Sequence, residues 1–407
     1  MLRCGLLGER LNYSYSPAIH ALLGDYEYKL YEVPRDGLDA FLREEPFDGL
    51  NVTIPYKKAA VPYCGELSET ARALRSVNTL VRRRDGVIFG DNTDAFGFAT
   101  LLRGAALDPA GKKALVLGSG GASVTVCHVL RAMGAREVTV ISRTGEDNYE
   151  NLEKHADAEL LVNATPVGTY PGNGEAPADL RRLPRLEGVA DLIYNPRRTA
   201  LLLQAEALGI PCAGGLAMLV AQALRSSELF QGKTLDAGLI PVIERKLEQS
   251  MRNIVLIGMP GSGKTTVGQA LAAATGRTLA DADALVEKRT GKPIPAVFAE
   301  GREALFRRYE TEVLRELGKE SGLILSTGGG CVTREENYPL LRQNGTVFWL
   351  RRDPDRLPRE GRPLSEGADL RAMYAAREPL YRRFADHVID NNGPVEDTVA
   401  RILEVLI

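Results

Sequence analysis

The sequence has no C-x-x-C pair. Its five cysteines, Cys4, Cys64, Cys127, Cys212 and Cys331, are odd in number and widely scattered. That pattern excludes a disulfide framework and a cysteine zinc site, and leaves them as small core residues. Histidine is scarce as well: His20, His128, His155 and His387 show no H-x-x-x-H spacing, which argues against metalloprotease chemistry. No apolar run approaches the ~18 residues that a membrane span needs, and the opening MLRCGLLGER has no basic stretch leading into an apolar segment. A soluble, cytoplasmic chain with no membrane partner is therefore expected. Charge of one sign is missing too. The chain carries 51 basic and 53 acidic residues, and division at Met251 gives 28 − 31 = −3 and 23 − 22 = +1. Neither part seeks a polyanion, so nucleic acid is not an expected partner. Internal repeats, low-complexity tracts and any signal of oligomeric state are absent.

What is present is globular composition. Of 407 residues, 44% are hydrophobic and 26% charged, enough for two or three cores of roughly 150 residues each. Two stretches have a glycine-rich loop after a short apolar strand, LVLGSGGAS at 115–123 and NIVLIGMPGSGKTT at 253–266. Two nucleotide-binding cores follow from them. Before the first, CGLLG, PAIHALLGDY, YKLYEVP, GLDAFLREE and GLNVTIP alternate strand and helix periodicity and read as a separate α/β unit. After it, GLAMLVAQALRSSELFQG and LDAGLIPVIERKLEQS are helical and are expected to fold back onto that first region. The second core starts directly after Ser250 with no Gly/Ser- or Pro-rich linker, as if Met251 had once been a start.

In the first loop, Gly118, Gly120 and Gly121 with Ala122 and Ser123 lead from strand KALVLG into helix VTVCHVLRAMG, where backbone N–H groups can approach a pyrophosphate. The next strand, EVTVIS, ends in Ser142-Arg143-Thr144, where an NAD site carries an acid. A cation and hydroxyls at that place favour a 2′-phosphate, hence NADP(H).

Seven further motifs resemble the shikimate dehydrogenases, in family order and over essentially all of 1–250: Ser14-Tyr-Ser16-Pro17, the run Asn51–Lys57, Val77-Asn78-Thr79, Asp91–Asp94, Asn163–Gly168, Asp191–Pro196 and Gly215–Gln222. On their own, Ser16 and Asp94 read as helix N-caps and Lys57 as a surface lysine. The resemblance implies instead that Lys57 is the proton donor to a developing alkoxide and Asp94 its supporting carboxylate. Ser14 and Ser16 are then donors to a substrate carboxylate, and Thr53, Asn78 and Gln222 are hydroxyl-binding residues.

The second loop matches G-x-x-x-x-G-K-[ST] completely: Gly258, Gly261, Ser262, Gly263, Lys264 and Thr265 follow strand NIVLI and open a helix. Its backbone suits a β-phosphate, Lys264 the β and γ oxygens, and Thr265 a Mg²⁺ ion. From Met251 on, the chain resembles shikimate kinase through Asp281-Ala-Asp283, Gly301–Arg307, Gly328-Gly329-Gly330, Gly361–Leu364 and Arg377–Tyr381. The resemblance implies Asp283 at the attacking hydroxyl, Arg307 and Arg377 on the acceptor carboxylate, and Gly328–Gly330 as backbone approach. It further implies Arg362 on a closing lid, Asp281 at the metal, and Thr266 and Arg356 at ATP. Singly, these residues read as helix caps, solvated charges and a turn.

The expected architecture is α/β throughout: a substrate domain of 1–98 and 215–250, a Rossmann-like NADP domain of 99–214, and a P-loop, NMP-kinase-like parallel-sheet domain of 251–407. The expected activity is reduction of 3-dehydroshikimate with NADPH followed by phosphorylation of shikimate with MgATP. A quinate/shikimate dehydrogenase fused to another small-molecule P-loop kinase, or one half acting as a degenerate regulatory module, are the alternatives.

Overall fold

The computed structural model describes residues 1–11, 14–300, 303–357 and 369–406. Three sheets follow one another along the chain. The first is mixed, with β1 (Arg3–Gly8), β2 (Glu27–Glu32), β3 (Gly49–Val52), β4 (Glu66–Leu67), β5 (Thr79–Arg82) and β6 (Ile88–Asp91) in the order β2-β1-β3-β5-β6-β4. β1 runs parallel to β2 and β3, whereas β5 is antiparallel to both its neighbours. Sequence pattern and place agree: β1 and β3 are apolar and buried in the middle, and β2 at the edge is largely exposed.

The second sheet is all parallel, with β7 (Lys113–Leu117), β8 (Glu137–Ile141), β9 (Leu160–Asn163), β10 (Gly188–Asp191) and β11 (Cys212–Ala213) in the order β11-β10-β9-β7-β8. The third is parallel too: β12 (Asn253–Ile257), β13 (Leu279–Asp281), β14 (Ile324–Ser326), β15 (Gly345–Arg351) and β16 (His387–Asp390) run β13-β14-β12-β15-β16. β7 and β12, which carry the two glycine loops, are fully buried strands with a neighbour on each side. In an open parallel sheet the order reverses beside such a strand, and the crevice at its carboxyl end is where ligands bind.

Helix Leu216–Gln231 returns to the first sheet. Ser226, fully buried on it, accepts from Asn51 Nδ2 at 2.8 Å and lies 2.9 Å from Thr79 Oγ1 and 3.1 Å from Thr93 Oγ1. One hydroxyl thus joins β3, β5 and the start of helix Asp94–Gly104. The two helices pack closely at Gly97, where a Cβ would meet the Met218 carbonyl at 2.6 Å. Phe98, Leu101 and Leu102 sit in the core of the second sheet, with Met218 packed against it, so the division expected at 98/99 falls inside a helix.

The stretch PAIHALLGDY, expected as one helix, is helical only over Ser16–His20. It turns early, and the Leu23 carbonyl accepts from Gln231 Nε2 of the returning helix at 3.1 Å.

By contacts the chain divides into two compact units, 1–167 with 176–194 and 204–245, and 168–175 with 195–203 and 246–407. The second unit therefore includes more than the stretch after Ser250. Within it, the Arg197 N–H donates to Asn344 Oδ1 at 2.9 Å and the Arg198 N–H to the Gln343 carbonyl at 2.8 Å. The end of helix Leu239–Met251 also lies there, with buried Met251 and with the Arg252 carbonyl accepting from Arg277 Nη1 at 2.5 Å.

Replacing Ser226 by Ala leaves Asn51 and the two threonines short of a buried partner, at a cost of about 1–3 kcal/mol. Thermal or urea unfolding of Ser226→Ala is expected to show that loss in the transition of the first unit. An unchanged midpoint would mean that the hydroxyl is dispensable there.

Candidate functional sites

The first unit holds a cavity of about 260 Å³ whose wall includes Ser14, Ser16, Thr53, Lys57, Asn78, Asp94 and Gln222. All seven dehydrogenase substrate and catalytic residues expected from the sequence therefore face one space. Lys57 emerges beyond β3, after the Ile54–Pro55 peptide, and Asp94 opens helix Asp94–Gly104. Lys57 Nζ donates to Asp94 Oδ2 at 2.5 Å, and both side chains are partly buried. The other carboxylate oxygen accepts from Asn78 Nδ2 at 2.9 Å.

Asp94 is therefore not a cap. The N-cap position belongs to Thr93, whose side chain makes no capping bond. Asn78 also accepts from the Thr93 N–H at 2.7 Å through Oδ1, and its Nδ2 reaches Gln222 Oε1 at 3.4 Å. Ser16 is the first residue of its short helix rather than the cap, and its N–H donates to Ser14 Oγ at 3.2 Å.

Ala122, at the start of helix Gly121–Ala132, lines the same cavity, so the dinucleotide loop borders the Lys57 pair. Gly118 has φ +100°, and a Cβ there would meet Thr165 Cγ2 at 2.8 Å; Gly120 and Gly121 face open space. That is the room a pyrophosphate needs against backbone N–H groups. Ser123 is buried and offers backbone rather than hydroxyl. Arg143 and Thr144 follow β8 and are exposed, while the Ser142 N–H is tied to the Asp147 carbonyl at 3.1 Å. This donor set fits NADP(H). Tyr194, inside the Asp191–Pro196 motif, also lines the cavity, stands edge-on to Tyr15 at 5.8 Å between ring centroids, and has its hydroxyl pKa pushed up by burial.

The second unit holds a larger cavity, about 490 Å³, walled by the phosphate loop, Asp281, Asp283, Arg307, Glu310 and Gly328–Gly330. Gly258, Gly261 and Gly263 all have φ between +84° and +148°, a backbone that L side chains rarely adopt. Ser262 beneath the loop is fully buried, and Lys264 Nζ donates to the carbonyls of Gly258 and Met259 at 2.9 and 3.0 Å. Thr266 lines the cavity, and Thr265 Oγ1 donates to Asp281 Oδ2 at 2.9 Å. The other oxygen of Asp281 caps helix Ala282–Thr290 through the Ala284 N–H. One hydroxyl and one carboxylate suit Mg²⁺, which takes few protein ligands and completes its shell with phosphates and water. No group of three His, Cys, Asp or Glu side chains able to hold a metal occurs among the described residues.

Arg307 is buried, with Nη1 on Glu310 Oε2 at 2.9 Å. Gly328–Gly330 are required for space. A Cβ on Gly328 would collide with the Glu310 carboxylate and lie 2.6 Å from Asp283 Oδ1, and one on Gly330 would overlap the Arg307 guanidinium. Burial raises the pKa of Asp283, against the pull of Lys264. Burial likewise raises that of Glu310, whose Oε1 has no hydrogen-bond partner among the described residues. Glu310 escaped the sequence reading, although its position three residues after Arg307 on one helix was the available signal. Arg377 and Tyr381 both donate to the Gly329 carbonyl, at 3.2 and 2.5 Å. Arg356 donates to the Asn392 carbonyl at 3.0 Å. Arg362, expected on a lid, lies outside the described residues. None of the described helices is long and apolar enough to cross a membrane.

Comparison with known proteins adds identity to this geometry. A family model for shikimate kinase matches residues 260–407, and one for the shikimate dehydrogenase substrate binding domain matches 6–80. A shikimate dehydrogenase (NADP(+)) of Methanopyrus kandleri is 38% identical over 263 residues, 56% of this chain and 90% of that protein. The chorismate mutase/shikimate 5-dehydrogenase fusion protein of Clostridium acetobutylicum superposes with a TM-score of 0.58 at 35% identity, covering 61% of this chain and 97% of that one. The Thermus thermophilus shikimate 5-dehydrogenase in complex with NADP(H) and shikimate gives 0.55 at 34%, covering 60% and 99%. The chain belongs to the shikimate dehydrogenase family and carries behind that part a shikimate kinase domain.

Proposed function

We propose that this chain catalyses two consecutive steps of the shikimate pathway in the cytoplasm. In the first, 3-dehydroshikimate, NADPH and a proton give shikimate and NADP⁺. In the second, shikimate and ATP give shikimate 3-phosphate and ADP. The observation that carries the reading is the pairing of Lys57 with Asp94 at 2.5 Å in the wall of one cavity, together with Asp283 and Arg307 in the wall of the other, beside Lys264. In domain terms the reading keeps 1–98 with 215–250 for substrate, 99–214 for NADP(H) and 251–407 for the kinase.

In the reduction, bound NADPH supplies the hydride. Ser14 and Ser16 hold the substrate carboxylate by hydrogen bonds, and Thr53, Asn78 and Gln222 hold its hydroxyls. Lys57 gives a proton to the ketone oxygen as negative charge develops there, and Asp94 holds the ammonium in position. Asn78, bonded to Asp94, fixes the carboxylate in turn. In the phosphorylation, bound MgATP supplies the phosphoryl group. Arg307, aligned by Glu310, and Arg377 clamp the shikimate carboxylate. Asp283 accepts the proton of the attacking hydroxyl, and its raised pKa makes it a better base than a free aspartate. Lys264 neutralises phosphate oxygens, and Thr265 with Asp281 holds the metal. The direct test is to supply 3-dehydroshikimate, NADPH and MgATP and look for shikimate 3-phosphate; accumulation of shikimate alone, or no turnover, would refute the two-step reading.

Lys57→Ala is expected to lower dehydrogenase kcat by at least ~10²-fold while leaving kinase turnover intact. Near-normal reduction by that variant would remove Lys57 as the donor. Arg143→Ala is expected to raise the NADPH KM about tenfold or more, since a charge-assisted contact contributes roughly 1.5–3 kcal/mol, with little change for NADH. Equal effects on both coenzymes would place the 2′-phosphate contact elsewhere.

The kinase is expected to lose kcat/KM for shikimate as pH falls through the raised pKa of Asp283, because only its ionised form accepts a proton. Arg307 holds that pKa down. Arg307→Ala therefore shifts the acid limb of the profile to higher pH, in addition to weakening shikimate binding. A limb at unchanged pH would show that Asp283 is not the group titrating.

A further inference from the structure

Beside the phosphate loop, the end of β15 and the turn after it carry three arginines. Arg351 pairs with Asp390 at 3.5 Å, and Arg356 is spent on the Asn392 carbonyl at 3.0 Å. Arg352 differs from both. Among the described residues it has neither a hydrogen-bond partner nor an ion pair, and its Nε is withdrawn from water. The nearby acids are engaged elsewhere: Asp353 Oδ1 accepts from the Asp355 N–H at 3.0 Å, and Asp355 pairs with Arg371 at 2.6 Å.

The place of this cation is well defined. A Cβ on Gly263, the last loop residue before helix Lys264–Thr275, would stand 3.8 Å from Arg352 Nη1 and 2.9 Å from Asn391 Nδ2. Asn391 in turn is buried and locked, donating to the Ser262 carbonyl at 2.6 Å and accepting from Thr398 Oγ1 at 2.7 Å. The guanidinium therefore rests against the phosphate loop next to a rigid support. A partly desolvated charge without a counter-charge is unfavourable unless a ligand supplies one.

We propose that Arg352 is a nucleotide-binding residue of the kinase that neutralises the α-phosphate end of ATP and ADP. Arg352 does not line the cavity that holds Lys264, Asp283 and Arg307. The β- and γ-phosphates belong to that cavity, so the part of the nucleotide left for a cation beside Gly263 is the α-phosphate with its ribose. The contact exists equally before and after transfer, so it contributes to binding of both nucleotides and not to the chemical step. This assignment rests on the kinase reading given above and adds a residue that neither the loop motif nor the acceptor motifs contain.

The test is calorimetric titration of the full-length chain with ADP, AMP and adenosine, with shikimate kinetics alongside. Arg352→Ala is expected to weaken ADP and AMP binding about ten- to hundredfold, the range of a charge-assisted hydrogen bond. Adenosine affinity, the shikimate KM and kcat at saturating ATP should remain within about twofold. Arg352→Lys should recover part of the loss, because it keeps the charge but not the planar fork. Arg352→Gln, which keeps most of the stem packing, serves if the alanine variant does not fold. Wild-type ADP affinity in the variants, with only a lowered melting temperature, would overturn the proposal and leave Arg352 a packing residue. Failure of the unaltered chain to bind ADP would overturn the kinase reading and this inference together, and is thereby distinguishable. Equal losses for adenosine and AMP would overturn the phosphate assignment.

Discussion

The carboxylate of Asp94 is the point on which the dehydrogenase part turns. One oxygen takes Lys57 Nζ at 2.5 Å and the other takes Asn78 Nδ2 at 2.9 Å. These three side chains come from beyond β3, from the residue before β5 and from the head of a helix after β6, so their meeting requires the mixed sheet to be in register. Behind them Asn78 binds the Thr93 N–H, and Thr93 meets Ser226 of the returning helix. The acid that orients the ammonium is thus continuous with the buried polar network that joins that helix to the sheet. Such a network is fixed only when each member is satisfied, which makes the position of Lys57 a property of the whole substrate-binding core.

The kinase part solves a different problem, that of packing opposite charges around a small space. Asp283, Glu310 and Arg307 stand against the backbone of Gly328–Gly330, so closely that any side chain on Gly328 or Gly330 would collide with them. Glu310 is buried with one oxygen on Arg307 and one without a hydrogen-bond partner among the described residues. Burial raises the proton affinity of both carboxyls, and the neighbouring Lys264 and Arg307 pull it back. The Asp283 carboxyl thus sits between opposing influences, burial on one side and the two cations on the other. Here the glycines supply room for charge, whereas in the phosphate loop they supply backbone conformation.

Motif order and three-dimensional contact divide the chain differently. The motifs change from one activity to the other at Met251, but contacts assign 168–175, 195–203 and the helix end from Lys246 to the second unit. The main-chain bonds of Arg197 and Arg198 to Asn344 and Gln343 involve residues more than a hundred positions apart in unremarkable sequence. No local pattern announces such contacts, because a backbone N–H is available at almost every residue and its partner is chosen by packing alone.

The sequence by itself determined the parts that depend on local chemistry. A glycine loop between an apolar strand and a helix suits a phosphate through backbone conformation and helix direction, both of which are local. The buried parallel strands were legible as continuous apolar runs, and six of the seven dehydrogenase motifs contribute residues to the wall of one cavity. Tertiary structure decided what those residues do with their polar atoms. Asp94 and Ser16 read as caps from their neighbours and are instead the first residues of their helices, with the Asp94 carboxylate taken by Lys57 and Asn78. The early end of the helix at His20, the alignment of Arg307 by Glu310 and the placing of Arg352 beside Gly263 were likewise settled by long-range packing. Hydrogen-bond partners and burial are properties of the assembled core, where a single contact outweighs the weak preferences that a local sequence window can express.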